Sequence, residues 1–161
     1  MLHKIRGWLR GKLDDPYLTK KAYPEPTVCP TCGLIYHKKH WKRDEGLKEK
    51  LEREAKRIKC PSCRKIEDHY PMGILTISGS FFLSHKEEIN NIIKNTERKE
   101  ILRNPLDRIM SLKEEKEKMI VETTSENLAL ALGKALSRAY KGKLEIRFSE
   151  DQKMVRVFWE R

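Results

Sequence analysis

The cysteines constrain this chain most strongly, because all four stand in two Cys-x-x-Cys pairs. The pairs are Cys29 with Cys32 and Cys60 with Cys63, and 27 residues separate them. A proline follows the first cysteine of each pair, and a tight turn there would direct both sulfurs at one ion. Four thiolates predict a single zinc ion in a closed tetrahedral shell. A closed shell has no open position for water or substrate, so the predicted site is structural.

Other uses of the cysteines are weaker predictions. A redox dithiol needs one pair at a helix N-terminus in a thioredoxin-like context, which the pattern does not indicate. An iron–sulfur centre also uses four thiolates. His37 and His40 could each replace a cysteine as ligand, although four thiolates already complete the shell. The gap between the pairs exceeds the usual spacing of about 15 to 20 residues. A charged helix over 44–58 is predicted to account for the excess.

The chain is predicted to have three regions. Residues 1–27 are a basic N-terminal arm, in which Leu2, Ile5, Leu9 and Leu13 recur at helical spacing. Residues 28–70 form a zinc module that contains all four cysteines. Residues 71–161 alternate between strand and helix signals and form an α+β domain.

The third region reads in the order strand, helix, strand, strand, helix, strand, strand. Two Ser/Thr-x-x-Glu capping boxes mark the predicted helix starts, at Ser84–Glu87 and Thr123–Glu126. The predicted strands are at 74–78, 108–112, 119–123, 144–148 and 155–159. This order predicts a ferredoxin-like split βαβ domain with an extra C-terminal strand.

The charge is concentrated in the N-terminal part. The whole chain carries 35 basic and 24 acidic residues, a net charge of +11. Residues 1–70 hold 18 of the basic and 10 of the acidic residues, or +8 of that charge. Such an imbalance favours an anionic partner, which could be RNA, DNA or an acidic membrane surface, and RNA is the partner that we predict. A Lys- and Glu-rich surface that only confers solubility is the alternative.

An aromatic and basic run lies beside the first cysteine pair. Rings interleaved with cations can stack on splayed bases while the cations meet phosphates. The predicted RNA-binding residues are Tyr36, His37, Lys38, Lys39, His40, Trp41, Lys42 and Arg43, together with Arg64 and Lys65 beside the second pair. The alternative is that Tyr36 and Trp41 pack against the zinc site.

Several segments resemble one family. Cys29-Pro-Thr-Cys-Gly33, Cys60-Pro-Ser-Cys63 and the following Gly73-Ile-Leu-Thr-Ile are similar to the zinc-bearing N-terminal region of the large-ribosomal-subunit export adaptor (Nmd-three) family. The Thr123-Thr-Ser-Glu-Asn-Leu-Ala helix start and the Gly-Lys-Leu-Glu-Ile-Arg strand also fit. The chain as a whole is similar to small prokaryotic zinc-ribbon proteins. The resemblance spans residues 28–161 and implies association with the ribosome. The family has further cysteine pairs and domains, so nuclear export is not implied.

The predicted function is non-catalytic. The sequence has no paired carboxylates in an apolar setting, no Ser/His/Asp arrangement and no glycine loop for phosphate. We therefore predict a zinc-binding, ribosome-associated protein that binds RNA, with ribosomal proteins as further partners and no small-molecule substrate. A zinc-stabilised protein–protein adaptor and a DNA-binding regulator are the alternatives. No membrane span or secretory signal is predicted, so the expected location is cytoplasmic.

Overall fold

A computed structural model describes residues 13–161. The predicted helical pattern through Leu2, Ile5 and Leu9 lies outside the described residues. The described chain has an α+β fold with two sheets, which confirms the predicted class. Within residues 13–161, no helix is both long enough and apolar enough to cross a bilayer.

The N-terminal sheet carries both cysteine pairs. It contains β1 (Thr27–Val28), β2 (Ile35–His37), β3 (His40–Lys42) and β4 (Lys56–Arg57), in the order β3-β2-β1-β4. Two short helices complete this module, α1 (Glu45–Leu51) and α2 (Pro61–Glu67). β1 is antiparallel to β2 and parallel to β4.

The predicted helix over 44–58 is wrong in its second half. Asp44 caps α1 by accepting a hydrogen bond from the Leu47 amide, but the helix ends at Leu51. Lys56 then donates its amide to the Pro26 carbonyl at 3.0 Å as β4 pairs with β1. The helix must end early because the sheet draws this segment back toward the first cysteine pair.

The C-terminal module has a five-stranded sheet. Its strands, in the order β6-β7-β5-β9-β8, are β5 (Gly73–Ser78), β6 (Ile109–Glu114), β7 (Lys118–Thr123), β8 (Lys143–Phe148) and β9 (Val155–Glu160). Its helices are α3 (Ser80–Ser84), α4 (Lys86–Arg103) and α5 (Glu126–Tyr140). Inward-facing strand residues such as Val121 and Val157 join α4 and α5 in one buried cluster.

The capping boxes locate the helices approximately. Ser84 is the last residue of α3, and α4 begins after His85, where no described side chain caps it. At α5 the cap is Ser125, whose hydroxyl accepts from the Leu128 amide at 3.2 Å, and Thr123 still belongs to β7. Both helices are therefore predicted correctly in kind but not in their first residue.

The ferredoxin-like order is not confirmed. That order would place the strand after α5 directly beside β5, but β9 holds this position, parallel to β5, and β8 lies at the edge. The inward residues of β9, Val155, Val157 and Trp159, are fully buried. β8 alternates with charged residues, which suits a solvent-exposed edge. The more apolar strand of the hairpin therefore takes the inner position.

Candidate metal centre and basic groove

The two parallel strands β1 and β4 bring the cysteine pairs together. Val28 is aligned with Arg57, and the Ile58 amide extends the pairing to the Val28 carbonyl at 3.3 Å. Both strands run in the same direction, so Cys29 and Cys60 emerge from the same end of the sheet. Cys60 then donates its amide to the Cys29 sulfur at 3.3 Å.

Each pair turns differently. In the first knuckle, Gly33 adopts a φ of 76° and donates its amide to the Cys29 carbonyl at 3.0 Å. A side chain would be strained in that conformation, which explains the glycine. In the second knuckle, Cys60 is the N-cap of α2, and its sulfur accepts from the Cys63 amide at 3.4 Å. A turn and a helix start thus point the sulfurs at one centre.

The four sulfurs form one compact cluster. The ligand atoms of Cys29, Cys32, Cys60 and Cys63 all lie within 4.8 Å of one another. The Cys32 and Cys60 sulfurs are 3.7 Å apart. A tetrahedron with Zn–S bonds of about 2.3 Å has an edge of about 3.8 Å, so the spacing suits such an ion. The four predicted ligands therefore come together, and they could hold one metal ion.

Burial and hydrogen bonding shift the pKa values of the cysteine thiols. The hydrogen bond between Cys32 and Cys60 lowers the pKa of the Cys32 thiol and raises that of Cys60. Burial raises the pKa of the Cys63 thiol, against hydrogen bonds from Arg108 and Cys60 that lower it. A bound cation would compete with the protons, because the thiolate is the form that binds metal.

Arg108 joins the cluster from the C-terminal module. Its Nη2 atom lies 3.1 Å from the Cys60 sulfur and 3.5 Å from that of Cys32, and its Nη1 atom lies 3.5 Å from that of Cys63. Sequence reasoning missed this residue. No local motif marks it, because its proximity to the sulfurs arises from the tertiary fold.

Lys65 also connects the modules. Its side chain is buried, bonds Asp15 at 2.6 Å and donates to the Thr124 carbonyl at 2.9 Å. Arg64 is half-buried, lies over the Tyr17 ring and donates to the Tyr17 carbonyl at 2.7 Å. These contacts engage both cations within the protein, and their role in RNA binding stays a prediction.

The two aromatic residues of the predicted RNA-binding run are buried. Tyr36 is 6% and Trp41 is 9% exposed, and their rings are 5.3 Å apart. Tyr23 packs edge-on against both. Their faces are therefore not free to stack on bases in this conformation. Instead, both rings pack in the buried cluster that contains the cysteines, which was the alternative interpretation. The pairing of the two strands accounts for this packing, since Tyr36 and Trp41 are directly opposite each other in β2 and β3.

The hairpin between β2 and β3 presents the rest of the run. Lys38 and Lys39 form its two-residue turn, both at positive φ (52° and 63°). Such turns prefer Asn-Gly, so two lysines there carry a conformational cost. Their side chains are exposed, as are those of His40 and Arg43, whereas His37 and Lys42 are half-buried.

A groove of about 750 Å³ lies beside this hairpin. It is bounded by residues 18–23, by the hairpin and by residues 103–106, so both modules contribute to it. Its described lining contains no Asp or Glu, and the charged or titratable members besides tyrosine are Lys20, Lys21, Lys39, His40 and Arg103. All five are exposed. Tyr23, Tyr36 and Trp41 also line it.

The chain was compared with protein-family models, curated proteins and solved structures, and none of them matches. The resemblance to the export adaptor family therefore stays a prediction. The sulfur cluster and the groove are the features from which a function must be argued.

Proposed function

We propose that this protein is a non-catalytic zinc-binding protein that binds RNA through the basic groove and associates with the ribosome. The observation that carries the metal part of the proposal is the cluster of four sulfurs within 4.8 Å of one another. The groove, whose described lining is cationic and free of carboxylates, carries the RNA part.

Zinc is the ion that this donor set favours. Four soft thiolates in a small tetrahedral arrangement suit zinc, whereas hard cations such as magnesium and calcium prefer oxygen. Once all four sulfurs bind, no coordination position remains for a substrate. The ion would therefore stabilise the fold, and catalysis is not expected at this centre.

The groove offers what an RNA backbone needs. Its lysines can neutralise phosphates without competition from a carboxylate in the described lining, whereas Arg103 also pairs with Glu100 at 3.6 Å. The Lys38–Lys39 turn supports the same use, because strained backbone at a charged tip is typical of functional sites.

A protein–protein adaptor is the second candidate, and one observation favours it. The burial of Tyr36 and Trp41 removes the stacking surface expected of a single-strand RNA binder. In that case the lysines only confer solubility. A DNA-binding regulator would also use the cationic groove. Competition between duplex DNA and RNA for the protein distinguishes this function from RNA binding.

The metal is tested first. Purified native protein should contain one zinc ion per chain by elemental analysis, and its thiols should resist alkylation until a chelator is added. Metal-free protein with freely reactive thiols would contradict the proposal.

RNA binding is tested by charge reversal. A variant with Lys20, Lys21, Lys39 and Arg103 changed to Glu should bind ribosomal RNA weakly in a filter assay at low salt. Each lost phosphate contact should also lower the slope of log affinity against log salt by about 1. The matched control reverses four exposed cations outside the groove: Lys94, Arg98, Lys99 and Lys116.

The outcomes separate the candidates. Weak binding by the groove variant alone supports the RNA proposal. Equal binding by both variants would mean that the groove is not the contact. Failure of the unaltered protein to bind RNA favours the adaptor, and stronger binding to duplex DNA than to RNA favours the regulator.

A further inference from the structure

Arg108 reaches the sulfur cluster from outside the metal module. It lies between α4 and β6, just before the sheet of the C-terminal module, yet its guanidinium contacts the sulfurs of Cys32, Cys60 and Cys63 at 3.1 to 3.5 Å. A planar fork of N–H donors can serve several acceptors at once. Three of the four sulfurs therefore share one donor group.

Hydrogen bonds to Thr124 and Pro105 fix the position of Arg108. The Arg108 amide donates to the Thr124 hydroxyl at 2.9 Å, and the Thr124 amide donates to the Arg108 carbonyl at 2.9 Å. Arg108 Nε donates to the Pro105 carbonyl at 3.1 Å. The side chain is therefore aimed at the cluster by contacts within its own module.

The contact between Arg108 and the sulfurs balances charge. Four thiolates around a divalent ion carry a net charge of about −2, and a buried charge needs a partner. The half-buried guanidinium lies within 3.5 Å of three of the four sulfurs. The cation and the sulfur cluster thus stabilise each other.

We infer that Arg108 is a positioning residue of the metal centre, and that metal occupancy through Arg108 adds to the Lys65 contact in joining the two modules. This inference rests on the proposed metal site. With the ion bound, the sulfurs are fixed and the guanidinium is anchored across the joint. Without the ion the sulfurs lose their fixed positions, and Arg108 loses its partners.

The same joint borders the groove. Ser62 donates its hydroxyl to the Leu106 carbonyl, and Lys65 bonds the Thr124 carbonyl, so α2 rests on the segments around Arg108. Leu106 and its neighbours also line the groove. Metal occupancy would therefore set the spacing between the groove walls, in addition to folding the knuckles.

The test uses Arg108→Gln and Arg108→Lys in the full chain, with Arg98→Gln as control because Arg98 is exposed on α4. Zinc affinity is measured by competition with a chromogenic chelator. Loss of a hydrogen-bond partner to metal ligands typically weakens binding about 10- to 100-fold, and we expect that for Arg108→Gln. Arg108→Lys keeps the charge but not the fork, so its loss should be smaller. Arg98→Gln should stay within about twofold of the unaltered protein, as expected of a surface change.

Two further readouts distinguish a positioning role from general destabilisation. In the cobalt-substituted protein, the sulfur-to-cobalt charge-transfer bands should move to longer wavelength in Arg108→Gln, because the thiolates become stronger donors. Amide exchange at Thr124 should be faster in zinc-loaded Arg108→Gln than in the unaltered protein. Removing zinc from the unaltered protein should have the same effect.

The outcomes are separable. Unaltered zinc affinity, cobalt spectrum and Thr124 exchange in Arg108→Gln would overturn the role of Arg108 and leave the metal centre standing. An unaltered protein that takes up no metal would overturn the metal centre itself, and with it this role.

Discussion

The two modules are stabilised by different means. Among residues 13–161, the buried cluster of the C-terminal module has 14 members, none of them cysteine, and includes large side chains such as Trp159 and Phe82. The buried cluster of the metal module has six residues, and three of these are Cys29, Cys60 and Cys63. Apolar burial can stabilise the first module alone. The buried cluster of the second module is much smaller, so we expect this module to depend on a bound ion.

Loss of a metal ligand should have the largest effect on the relative stability of the two modules. Cys60→Ser removes one ligand, and a structural zinc site contributes about 10 kcal/mol or more to folding. We expect the metal module to unfold while the C-terminal sheet stays folded. Elemental analysis checks the loss of metal, and amide exchange maps which residues open. Adding a chelator to the unaltered protein should reproduce the result.

Two results would contradict this difference between the modules. Unfolding of the whole chain in Cys60→Ser would mean that the joint at Arg108 makes the modules one cooperative unit. A metal module that stays folded without metal would mean that its small aromatic cluster suffices.

A cavity in the C-terminal core should have the next largest effect. Leu132 on α5 is fully buried, and its truncation to Ala should lower the free energy of unfolding by about 2 to 5 kcal/mol. Urea unfolding measures this loss. Zinc affinity should not change, because Leu132 and the cysteines belong to separate buried clusters. Leu102→Ala is the matched control, since Leu102 is 84% exposed. A drop in zinc affinity for Leu132→Ala alone would show that the modules are coupled through the core.

The hairpin turn should give the smallest effect. Replacing Lys38-Lys39 with Asn-Gly relieves two left-handed lysines and should stabilise the metal-loaded protein by about 1 to 2 kcal/mol. Thermal unfolding of the zinc-loaded protein measures the gain.

The same variant sharpens the functional proposal. If the lysines are kept for RNA, the stabilised variant should bind RNA less well than a Lys94→Gln, Lys99→Gln control with the same loss of charge. Equal RNA binding by the two variants would leave the strained turn without a role in RNA recognition.

Features that depend on near neighbours in the chain were predicted well. Each Cys-x-x-Cys pair is a local feature, and the alternating patterns at β5, β7 and β9 predicted those strands within a few residues. Element ends were less accurate. The helix after Asp44 matched its charge pattern only to Leu51, because pairing of residues 56–57 with β1 was stronger than local helix propensity.

The RNA-binding run shows the limit of pattern reading. Tyr36, Trp41 and Lys65 have the residue types that nucleic-acid surfaces use, but each is buried by a partner distant in sequence. Tyr23 covers the two rings, and Asp15 neutralises the lysine. Exposure depends on these partners, and the sequence pattern does not reveal them.

Cysteine spacing and side-chain periodicity are properties of short segments, so the amino-acid sequence predicted the cysteine pairs as a candidate metal site, the α+β class and the order of most elements. The remaining features depend on contacts between distant segments. These contacts place β9 between β5 and β8, bring Arg108 into contact with the cysteine sulfurs and form the groove between the modules. Each of these depends on which distant segments pack together, and that is settled by the combined burial and hydrogen bonding of the folded chain.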